Sequence, residues 1–522
     1  MSIAPTVVLP DASRLRPEPP VVEVRPARGA AGPTVAMITE GTYPFSHGGV
    51  STWCDQLISS MPESTFEVVS IVARGGNRSV WDLPPNIAGV TELGFWEPRV
   101  PGERPRYLRA AGRSRLDPAA FEAVCLLFEL LTDPDPDVER FDRCLDSLID
   151  NSEARLLAPA LRCRAAVDAL TDLCRSDGVP TSMSEVIQCL ELLEHFLRPA
   201  GLDLPEADIY HATGNGLSAL VGIAAAQRTG SPLVLSEHGV YLRERYLEYL
   251  TGELGPSAKR ILLRFHRLLA VAAYRRADLI VPVTRYNKRW ELHNGADPSR
   301  IRVVNNGVDP ARFEHRLPEP ERPPTVGFLS RIDRVKDPLT LIHAVAQLQK
   351  RIPELCVRVW GKVAEGQEDY EQECRDTVRR LGLDQLISFE GHTEDPAAAC
   401  RAVDVLVSSS ISEGLPYGII EAMMGATPIV STNVGGLPEA LDGVGLLVEP
   451  GNPEQLADAV ESLLRTPTRA AHLGRAARRR ALQRFTLSGM VEQYRSIYDE
   501  LCPSIDLRDE ASEAPRPVEA QR

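Results

Sequence analysis

Short, continuous apolar runs rich in β-branched residues alternate with helical patterns along most of this chain, and this feature constrains its fold most. Continuous runs are typical of strands that are covered on both faces, and such strands form parallel sheets flanked by helices. A first set comprises TVAMIT, EVVSIV, DIYHA, PLVLSEH, DLIVPVT and IRVVNNG; a second comprises TVGFLS, CVRVWG, LISFEG, DVLVSSS, PIVSTN and GLLVEP. The sequence therefore predicts an α/β protein with two doubly wound, parallel-sheet domains.

The chain length supports this division, because 522 residues are too many for one ordinary hydrophobic core. The proline-rich, charged stretch RLPEPERPP is typical of an exposed linker between domains. The predicted units are a disordered arm (1–32), a first domain (33–315), the linker (316–324), a second domain (325–485), a C-terminal helix that would cross back to the first domain (486–502) and a disordered tail (503–522). Leu-rich, acidic sequence from about 101 to 205 predicts a helical insertion in the first domain.

Composition narrows the classes of function. The 58 basic and 72 acidic residues give a net charge of -14, which argues against a nucleic-acid partner bound through the overall field of the protein. The ten cysteines are scattered without a C-x-x-C pair, so neither a disulfide framework nor a structural metal site is indicated. Because the N-terminal stretch lacks the apolar core of a signal peptide, we expect a cytoplasmic protein, with docking to a membrane complex left open.

The stretch ITEGTYPFSHGGVS (38–51) places a glycine-rich loop directly after an apolar run. In doubly wound sheets, ligands bind beyond the carboxyl ends of the strands. Gly48 and Gly49 would open the next helix and leave backbone N–H groups free for an anion. A turn that binds no ligand is an equally open interpretation of this stretch taken alone.

The stretch SRIDRVKDP places Arg331 and Lys336 just after the predicted strand TVGFLS. Two cations on one loop at a strand end would neutralise a diphosphate. A solvated charged loop is the alternative interpretation of this stretch taken alone.

A third motif, SSSISEGLPYGIIEAMMG, follows the predicted strand DVLVSSS. Pro416 is suited to the first turn of a helix, and Tyr417 and Gly418 would then offer N–H groups where the helix dipole favours negative charge. Glu413 and Glu421 are eight residues apart, so an ideal helix would turn them about 80° apart. We therefore expect them to address different parts of one ligand.

One pattern points to another function. HATGNGLSA has Gly214, Gly216 and Ala219 in a G-x-G-x-x-A arrangement, and Glu237 follows at about the interval of a ribose-binding acid. This fingerprint would indicate an NAD-dependent oxidoreductase. Its position late in the domain, and the direct succession of Glu237 by His238, argue against that interpretation.

Taken together, the glycine pair, R-x4-K and E-x7-E in this order resemble glycosyltransferase family 4, whose retaining enzymes have the GT-B fold. In that fold two Rossmann-like domains face each other across a cleft. The stretches GTYPFSHGGVSTW and SEHGVYLRERY further resemble the PelF group, cytoplasmic glycosyltransferases associated with Pel-type exopolysaccharide synthesis.

The resemblance implies roles for particular residues. Arg331 and Lys336 would clamp the diphosphate of a nucleotide-sugar donor, Glu413 would accept hydrogen bonds from the donor sugar, and His238 would contact the reacting sugar. Glu421 would bind the ribose. The wider donor-binding set implied is Gly48, Gly49, Gly391, His392, Gly414, Leu415, Pro416, Tyr417 and Gly418, with the base meeting the backbone around Gly391 and His392. Residues implied on the acceptor side or in the cleft are His211, Glu237 and Arg243. For each histidine, a hydrogen-bonded structural role is the alternative.

The implied function is retaining transfer of a hexosyl group from a nucleoside diphosphate sugar, UDP-glucose at the level of the subgroup, to a saccharide acceptor. No metal or other cofactor is implied, and a membrane-bound polysaccharide export complex is the implied protein partner. Two further hypotheses stay open at this point: a non-catalytic scaffold of an export complex, and a nucleotide-sugar epimerase.

Overall fold

In a computed structural model of the chain, the structure describes residues 22–23, 32–95, 116–176, 178, 180–252, 254–313, 322–364 and 366–502. Most of the predicted arm, the start of the predicted insertion, most of the predicted linker and the predicted tail lie outside the described residues.

Seven strands form the first sheet in the order β1-β4-β3-β2-β5-β6-β7. Their bounds are β1 Val22–Glu23, β2 Thr34–Glu40, β3 Thr65–Val72, β4 Ile87–Gly94, β5 Ile209–Ala212, β6 Leu233–Glu237 and β7 Leu279–Pro282. All neighbours pair in parallel except β1 and β4, which are antiparallel. Strands β5, β6 and β7 are buried along their whole length, as expected for strands covered by helices on both faces.

Two strand predictions for this domain were wrong. The run IRVVNNG is not a strand, because within it only Ile301 forms an isolated bridge, to Ile280 of β7. Conversely, β4 was missed. Only its residues Ile87 and Leu93 are buried, so the sequence of this strand near the sheet edge lacks a continuous apolar run.

The prediction of a wholly disordered arm is also corrected. Val22 pairs with Val90 and Glu23 with Gly89, so two residues of the arm form β1 along β4. Without β1, this side of β4 would present unpaired backbone groups, and pairing them is the physical reason for the added strand.

Six parallel strands form the second sheet, in the order β10-β9-β8-β11-β12-β13. Their bounds are β8 Thr325–Leu329, β9 Cys356–Trp360, β10 Ile387–Gly391, β11 Val405–Ser408, β12 Ile429–Thr432 and β13 Leu446–Val448. All six runs of the second set are thus confirmed as strands, and the α/β class with two doubly wound parallel sheets is confirmed for the chain.

Eighteen α-helices and three short 3-10 helices surround the sheets in the described part of the chain. The α-helices are α1 Gly49–Ser59, α2 Pro118–Thr132, α3 Val138–Glu153, α4 Leu157–Leu161, α5 Arg164–Ser176, α6 Met183–Leu197, α7 Leu217–Thr229, α8 Tyr241–Thr251, α9 Pro256–Arg276, α10 Arg285–His293, α11 Pro338–Leu348, α12 Glu368–Arg380, α13 Pro396–Arg401, α14 Tyr417–Met424, α15 Leu437–Leu441, α16 Pro453–Leu464, α17 Pro467–Arg484 and α18 Leu487–Leu501. The 3-10 helices are Arg198–Gly201, Pro298–Arg300 and Pro310–Arg312. Within the described ranges, no helix has the length and apolar character needed to cross a membrane.

The helices between β4 and β5 share one apolar core with the first sheet. Buried side chains of α2 to α6 pack in the same cluster as those of α7, α9 and one face of the strands. The other face of the first sheet forms a cluster that continues into α14 of the second domain and into α18. The last helix returns to the first domain, where Arg495 pairs with Glu63 at 2.7 Å.

In both sheets the strand order reverses at one point: between β2 and β5 in the first sheet, and between β8 and β11 in the second. Ligands of doubly wound folds bind in the crevice at such a switch point. The loops that leave β2, β8 and β11 carry the three motifs singled out in the sequence.

Candidate active site

Two helices begin next to each other across the domain boundary. A Cβ built on Gly49, the first residue of α1, would lie 3.7 Å from Cδ2 of Tyr417, the first residue of α14. The hydroxyl of Tyr417 donates to Oε1 of Gln56, two turns further along α1, at 3.0 Å. No side chain of the described residues caps either helix, and no described atom lies within 4 Å of a Cβ built on Gly48. Two sets of N–H groups with positive dipole ends therefore meet at one cleft.

The predicted diphosphate clamp lies on the loop from β8 to α11. Arg331 is half-exposed and makes a 3.3 Å contact from NH2 to Oδ2 of Asp333. Lys336 is mostly buried, and its Nζ donates to Oε1 of Glu413 at 2.7 Å. The structure thus brings Lys336 and Glu413 together as an ion pair and leaves the Arg331 guanidinium accessible.

The two glutamates of E-x7-E are not on one helix, so the 80° expectation is corrected. Glu413 lies on the loop before α14, and Pro416 is the N-cap residue, extended at φ -71° and ψ 139°. Glu421 lies in the second turn of α14. Burial raises the pKa of Glu421 to about 7, and the charge of Arg312 opposes the shift only in part. The two carboxyl groups therefore have different electrostatic environments.

Close backbone contacts join the domains at the loop before α14. A Cβ built on Gly414 would overlap the carbonyl oxygen of His238, so the two chains approach as closely as glycine permits. Asn306 Nδ2 donates to the carbonyl of Leu415 at 2.9 Å. Arg243 bridges the same boundary, donating to the Tyr286 hydroxyl at 2.9 Å and to the carbonyl of Ile411 at 3.1 Å.

Gly418 serves the packing of α14 itself. A Cβ built there would lie 2.6 Å from the carbonyl oxygen of Leu329, at the end of β8. The absence of a side chain at Gly418 therefore lets the start of α14 lie against the strand that carries the clamp loop.

His238 lies directly after β6, at the domain boundary. Its ring packs edge-on against Trp53 of α1, with centroids 4.7 Å apart. The residue is partly exposed, but its Nε2 atom is buried. Burial lowers the pKa of His238 to about 4, so the ring is neutral at pH 7 and offers one donor and one acceptor.

The prediction that His211 faces the cleft was wrong. Its side chain is fully buried, and its ring nitrogens are each 2.7 Å from a hydroxyl, Nδ1 from that of Tyr498 and Nε2 from that of Ser236. Ser236 is in turn 3.0 Å from the hydroxyl of Tyr494 on α18. Burial lowers the pKa of His211 to about 3, so this neutral ring links the returning helix to the first sheet.

The prediction that Glu237 lies in the cleft was also wrong. It is 3% exposed and accepts a hydrogen bond at Oε2 from Tyr274 at 2.9 Å. Its neighbour is Glu291, which is fully buried, and burial raises the pKa of both carboxyl groups. Their mutual repulsion favours one shared proton over two charges. The pair belongs to the core behind β6.

The structure also contradicts a dinucleotide site at Gly214 and Gly216. The anion position at the start of α7 is filled by Glu40, whose Oε1 accepts from the backbone N–H of Ser218 at 2.9 Å. A Cβ built on Gly216 would lie 2.5 Å from the ring of Tyr241, which covers the loop. A pyrophosphate therefore has no place there, and the NAD-dependent oxidoreductase interpretation of this motif fails.

The predicted base contact lies at the end of β10. The Gly391 carbonyl already accepts from Gly361 N–H at 2.7 Å, and Gly391 has a positive φ of 76°. His392 is exposed and stacks on His47 of the β2–α1 loop, with ring centroids 5.0 Å apart. The edge of the cleft is therefore closed by one histidine from each domain, and no sequence motif predicts this pairing.

Several residues of this region were missed because no motif marks them: Gln56, His47, Trp53 and Asn306. Trp53 and Gln56 lie one and two turns into α1, at i+4 and i+7 from Gly49, so helical periodicity places them on the same side of the helix as Gly49. His47 and Asn306 contact the second domain, His47 through the ring of His392 and Asn306 through the carbonyl of Leu415, and no local pattern reports such contacts. Among the described residues, no cluster of three or more metal-ligating side chains is found.

Solved structures share this architecture. HepE of Anabaena in complex with UDP superimposes with a TM-score of 0.56 at 16% identity, covering 89% of this chain and 99% of HepE. A sucrose-phosphate synthase of Thermosynechococcus elongatus superimposes with a TM-score of 0.59 at 19% identity, covering 90% and 98% of the two chains. The fold is that of the GT-B glycosyltransferases.

The family follows from the sequence comparison. Residues 33–299, more than half of the chain, match the domain of unknown function DUF3492, and the chain belongs to this family. Residues 311–480 match the glycosyl transferases group 1. The second domain therefore matches the glycosyl transferases group 1 and follows a DUF3492 first domain.

Curated relatives match over part of their length. D-inositol 3-phosphate glycosyltransferase of Corynebacterium kroppenstedtii is 30% identical over 43% of this chain and 53% of its own length. The protein of the same name from Pseudarthrobacter chlorophenolicus is 32% identical over 51% of this chain and 64% of its own length. The chain thus spans about half to two thirds of the length of these relatives.

Proposed function

We propose that the protein is a retaining hexosyltransferase that uses a nucleoside diphosphate sugar, UDP-glucose, as its donor. The observation that carries this proposal is the meeting of the uncapped starts of α1 and α14 at Gly49 and Tyr417, beside the loop of Arg331 and Lys336. Helix N-termini and cations placed together suit the diphosphate of a nucleotide-sugar donor.

The proposed chemistry follows from the leaving group. Breaking the bond between sugar and phosphate builds negative charge on the nucleoside diphosphate. Preorganised donors stabilise such charge without reorganising during the reaction. In this site Arg331 would meet the phosphates directly, and Lys336 would do so by sharing its charge between Glu413 and the donor. Glu413 would then accept from hydroxyls of the donor sugar, and Glu421 from the ribose.

Two lines support the choice of donor and of pathway. The structures of HepE of Anabaena were solved with UDP, with UDP and glucose, and with UDP-glucose, which makes UDP-glucose the first donor to test here. The resemblance of GTYPFSHGGVSTW and SEHGVYLRERY to the PelF group supports a cytoplasmic role in exopolysaccharide biosynthesis, beside a membrane-bound export complex. Retention at the anomeric carbon rests on the resemblance to family 4.

We propose a saccharide as the acceptor. A second candidate, inositol 3-phosphate, is favoured by the relatives named for that acceptor, at 30 to 33% identity. The two acceptors differ in charge, so a single acceptor panel containing both separates them.

A binding screen followed by a product assay tests the proposal. A ligand that binds only the folded state raises its melting temperature, so UDP-glucose should stabilise the protein more than GDP-mannose or NAD does. In the product assay, a transferase links the sugar to an acceptor, an epimerase changes only the donor, and a scaffold does neither. If no nucleotide sugar raises the melting temperature of the protein, the proposal is wrong.

A further inference from the structure

Two buried polar atoms at the domain boundary form no hydrogen bond to any described group: Nε2 of His238 and Oδ1 of Asn306. Asn306 is 4% exposed. Both residues contact one short segment of the second domain: the Gly414 backbone lies against the carbonyl oxygen of His238, and Asn306 Nδ2 donates to the carbonyl of Leu415, the next residue. The Asn306 side chain also opposes part of the lowering of the His238 pKa that burial causes. In this conformation, however, the two atoms do not reach hydrogen-bond geometry, although each needs a partner once it is buried.

The other end of the Asn306 amide is already engaged across the boundary. Its Nδ2 donates to the carbonyl of Leu415, two residues before α14 begins. Because a carbonyl oxygen can only accept, the NH2 of Asn306 must be the group that faces Leu415. The amide orientation is therefore set by this contact, and Oδ1 is the atom left for His238.

This orientation dictates the protonation of the imidazole. Burial keeps His238 neutral at pH 7, so one ring nitrogen carries a proton and the other accepts. Since Oδ1 of Asn306 can only accept, His238 satisfies both atoms only as the tautomer that carries its proton on Nε2. Nδ1 is then the acceptor of the ring. The titratable group coupled to this ring is His211: burial, and to a lesser degree His238, lowers the pKa of His211 to about 3, so His211 is neutral as well.

We propose that Asn306 is a positioning residue for His238: its Nδ2 holds the contact with Leu415 that joins the domains, and its Oδ1 accepts from Nε2–H, so that Nδ1 of His238 is kept as an acceptor for a donor-sugar hydroxyl. The assignment of the sugar rests on the proposed function. The tautomer of His238 and its dependence on Asn306 do not rest on the proposed function.

The test reads the tautomer in the free protein, without donor or turnover. Long-range 15N–1H correlation spectra of protein labelled at the histidine rings report which nitrogen is protonated, and the His238 signals are identified by their loss in His238→Gln. The matched control is Asn305→Ala, which removes the neighbouring amide that donates to the carbonyl of Val283 at 2.7 Å. We expect Nε2–H in the wild type and in Asn305→Ala, and a mixed or Nδ1–H pattern in Asn306→Ala.

An unchanged tautomer in Asn306→Ala, or an Nδ1–H ring in the wild type, would overturn the proposal. Should Asn306→Ala fail to fold, Asn306→Asp carries the test, because its carboxylate accepts from the ring and stabilises the charged form. We then expect Nε2–H to persist and the titration midpoint of His238 to rise by about one pH unit or more. A midpoint equal to that of the wild type contradicts the proposal.

A kinetic arm tests the link to turnover. With UDP-glucose as the probe, Asn306→Ala should lower kcat about tenfold while the donor KM stays near the wild-type value, because the ring loses one hydrogen bond that orients it. A purely structural residue would instead lower the melting temperature without changing the tautomer. If no variant and no wild-type sample turns over any nucleotide sugar, the proposed function fails while the tautomer result still decides the role of Asn306.

Discussion

The ammonium of Lys336 donates to Oε1 of Glu413 at 2.7 Å, and the hydroxyl of Ser410 donates to the same carboxylate oxygen at 2.6 Å. The side chains of Lys336 and Glu413 are only 15% and 7% exposed. The pair connects the loops that follow β8 and β11, the strands at the switch point of the second sheet. Lys336, the proposed contact of the donor phosphates, and Glu413, the proposed contact of the donor sugar, therefore already form an ion pair without a donor.

We predict that Lys336→Met destabilises the fold by about 3 kcal/mol, because it leaves Glu413 buried without its cation. Urea unfolding measures this change. The double variant Lys336→Met/Glu413→Gln removes both charges and should recover most of the stability, since the carboxylate no longer needs a counterion. Turnover should stay low in both. A double variant as unstable as Lys336→Met would contradict the ion pair as the source of the loss.

We predict that Arg331→Ala lowers kcat about 100- to 1000-fold with little change in melting temperature, because a preorganised cation is lost while its contact with Asp333 is a half-exposed one. Arg334→Ala on the same loop is the matched control. Arg334 pairs with Glu373 at 3.4 Å and lies over the ring of Tyr370. Equal turnover losses in the two variants would remove Arg331 from the clamp.

We predict that Gly414→Ala holds the domains apart, because the added methyl group overlaps the carbonyl oxygen of His238. Small-angle scattering should show a larger particle, and turnover should fall. Gly425→Ala is the control: φ is -74° there, and a Cβ would meet its nearest neighbours at 3.4 Å. Wild-type dimensions together with wild-type turnover in Gly414→Ala would show that this contact does not matter for closure.

We predict a pH-dependent stability difference for Glu421→Gln. The pKa of Glu421 rises from 4.5 to about 7 in the fold, so between these values the folded state keeps a proton that the unfolded state has released. Stability contributed by this site therefore decreases as pH rises from about 4.5 to about 7. The neutral glutamine avoids that loss.

Unfolding curves at pH 5 and pH 8 measure the effect. At pH 8, Glu421→Gln should be more stable than the wild type by about 2 kcal/mol, and the difference should shrink towards pH 5. The buried carboxyls of Glu40, Glu237 and Glu291 also have raised pKa values and are common to both proteins, so the difference between the curves isolates Glu421. A difference that is independent of pH would contradict the raised pKa.

Much of the architecture was predictable, because strand and helix signals are local. All six strands of the second sheet followed from continuous apolar runs, and the loops that leave β2, β8 and β11 carry the three motifs. β4 was missed since its burial is too slight to produce such a run. The G-x-G-x-x-A pattern wrongly suggested a dinucleotide site. A local pattern cannot show that Glu40, which is distant in sequence, occupies the anion position at the start of α7.

The sequence by itself determined the two doubly wound domains, since strands buried on both faces need continuous apolar runs. It also determined which loops hold the cations and glycines. Only the tertiary structure decided which of these groups meet. Lys336 and Glu413 are 77 residues apart, and His211 and Tyr498 are 287 apart. Such contacts depend on how whole domains pack and on the path of the last helix, and neither leaves a pattern in the residues that it brings together.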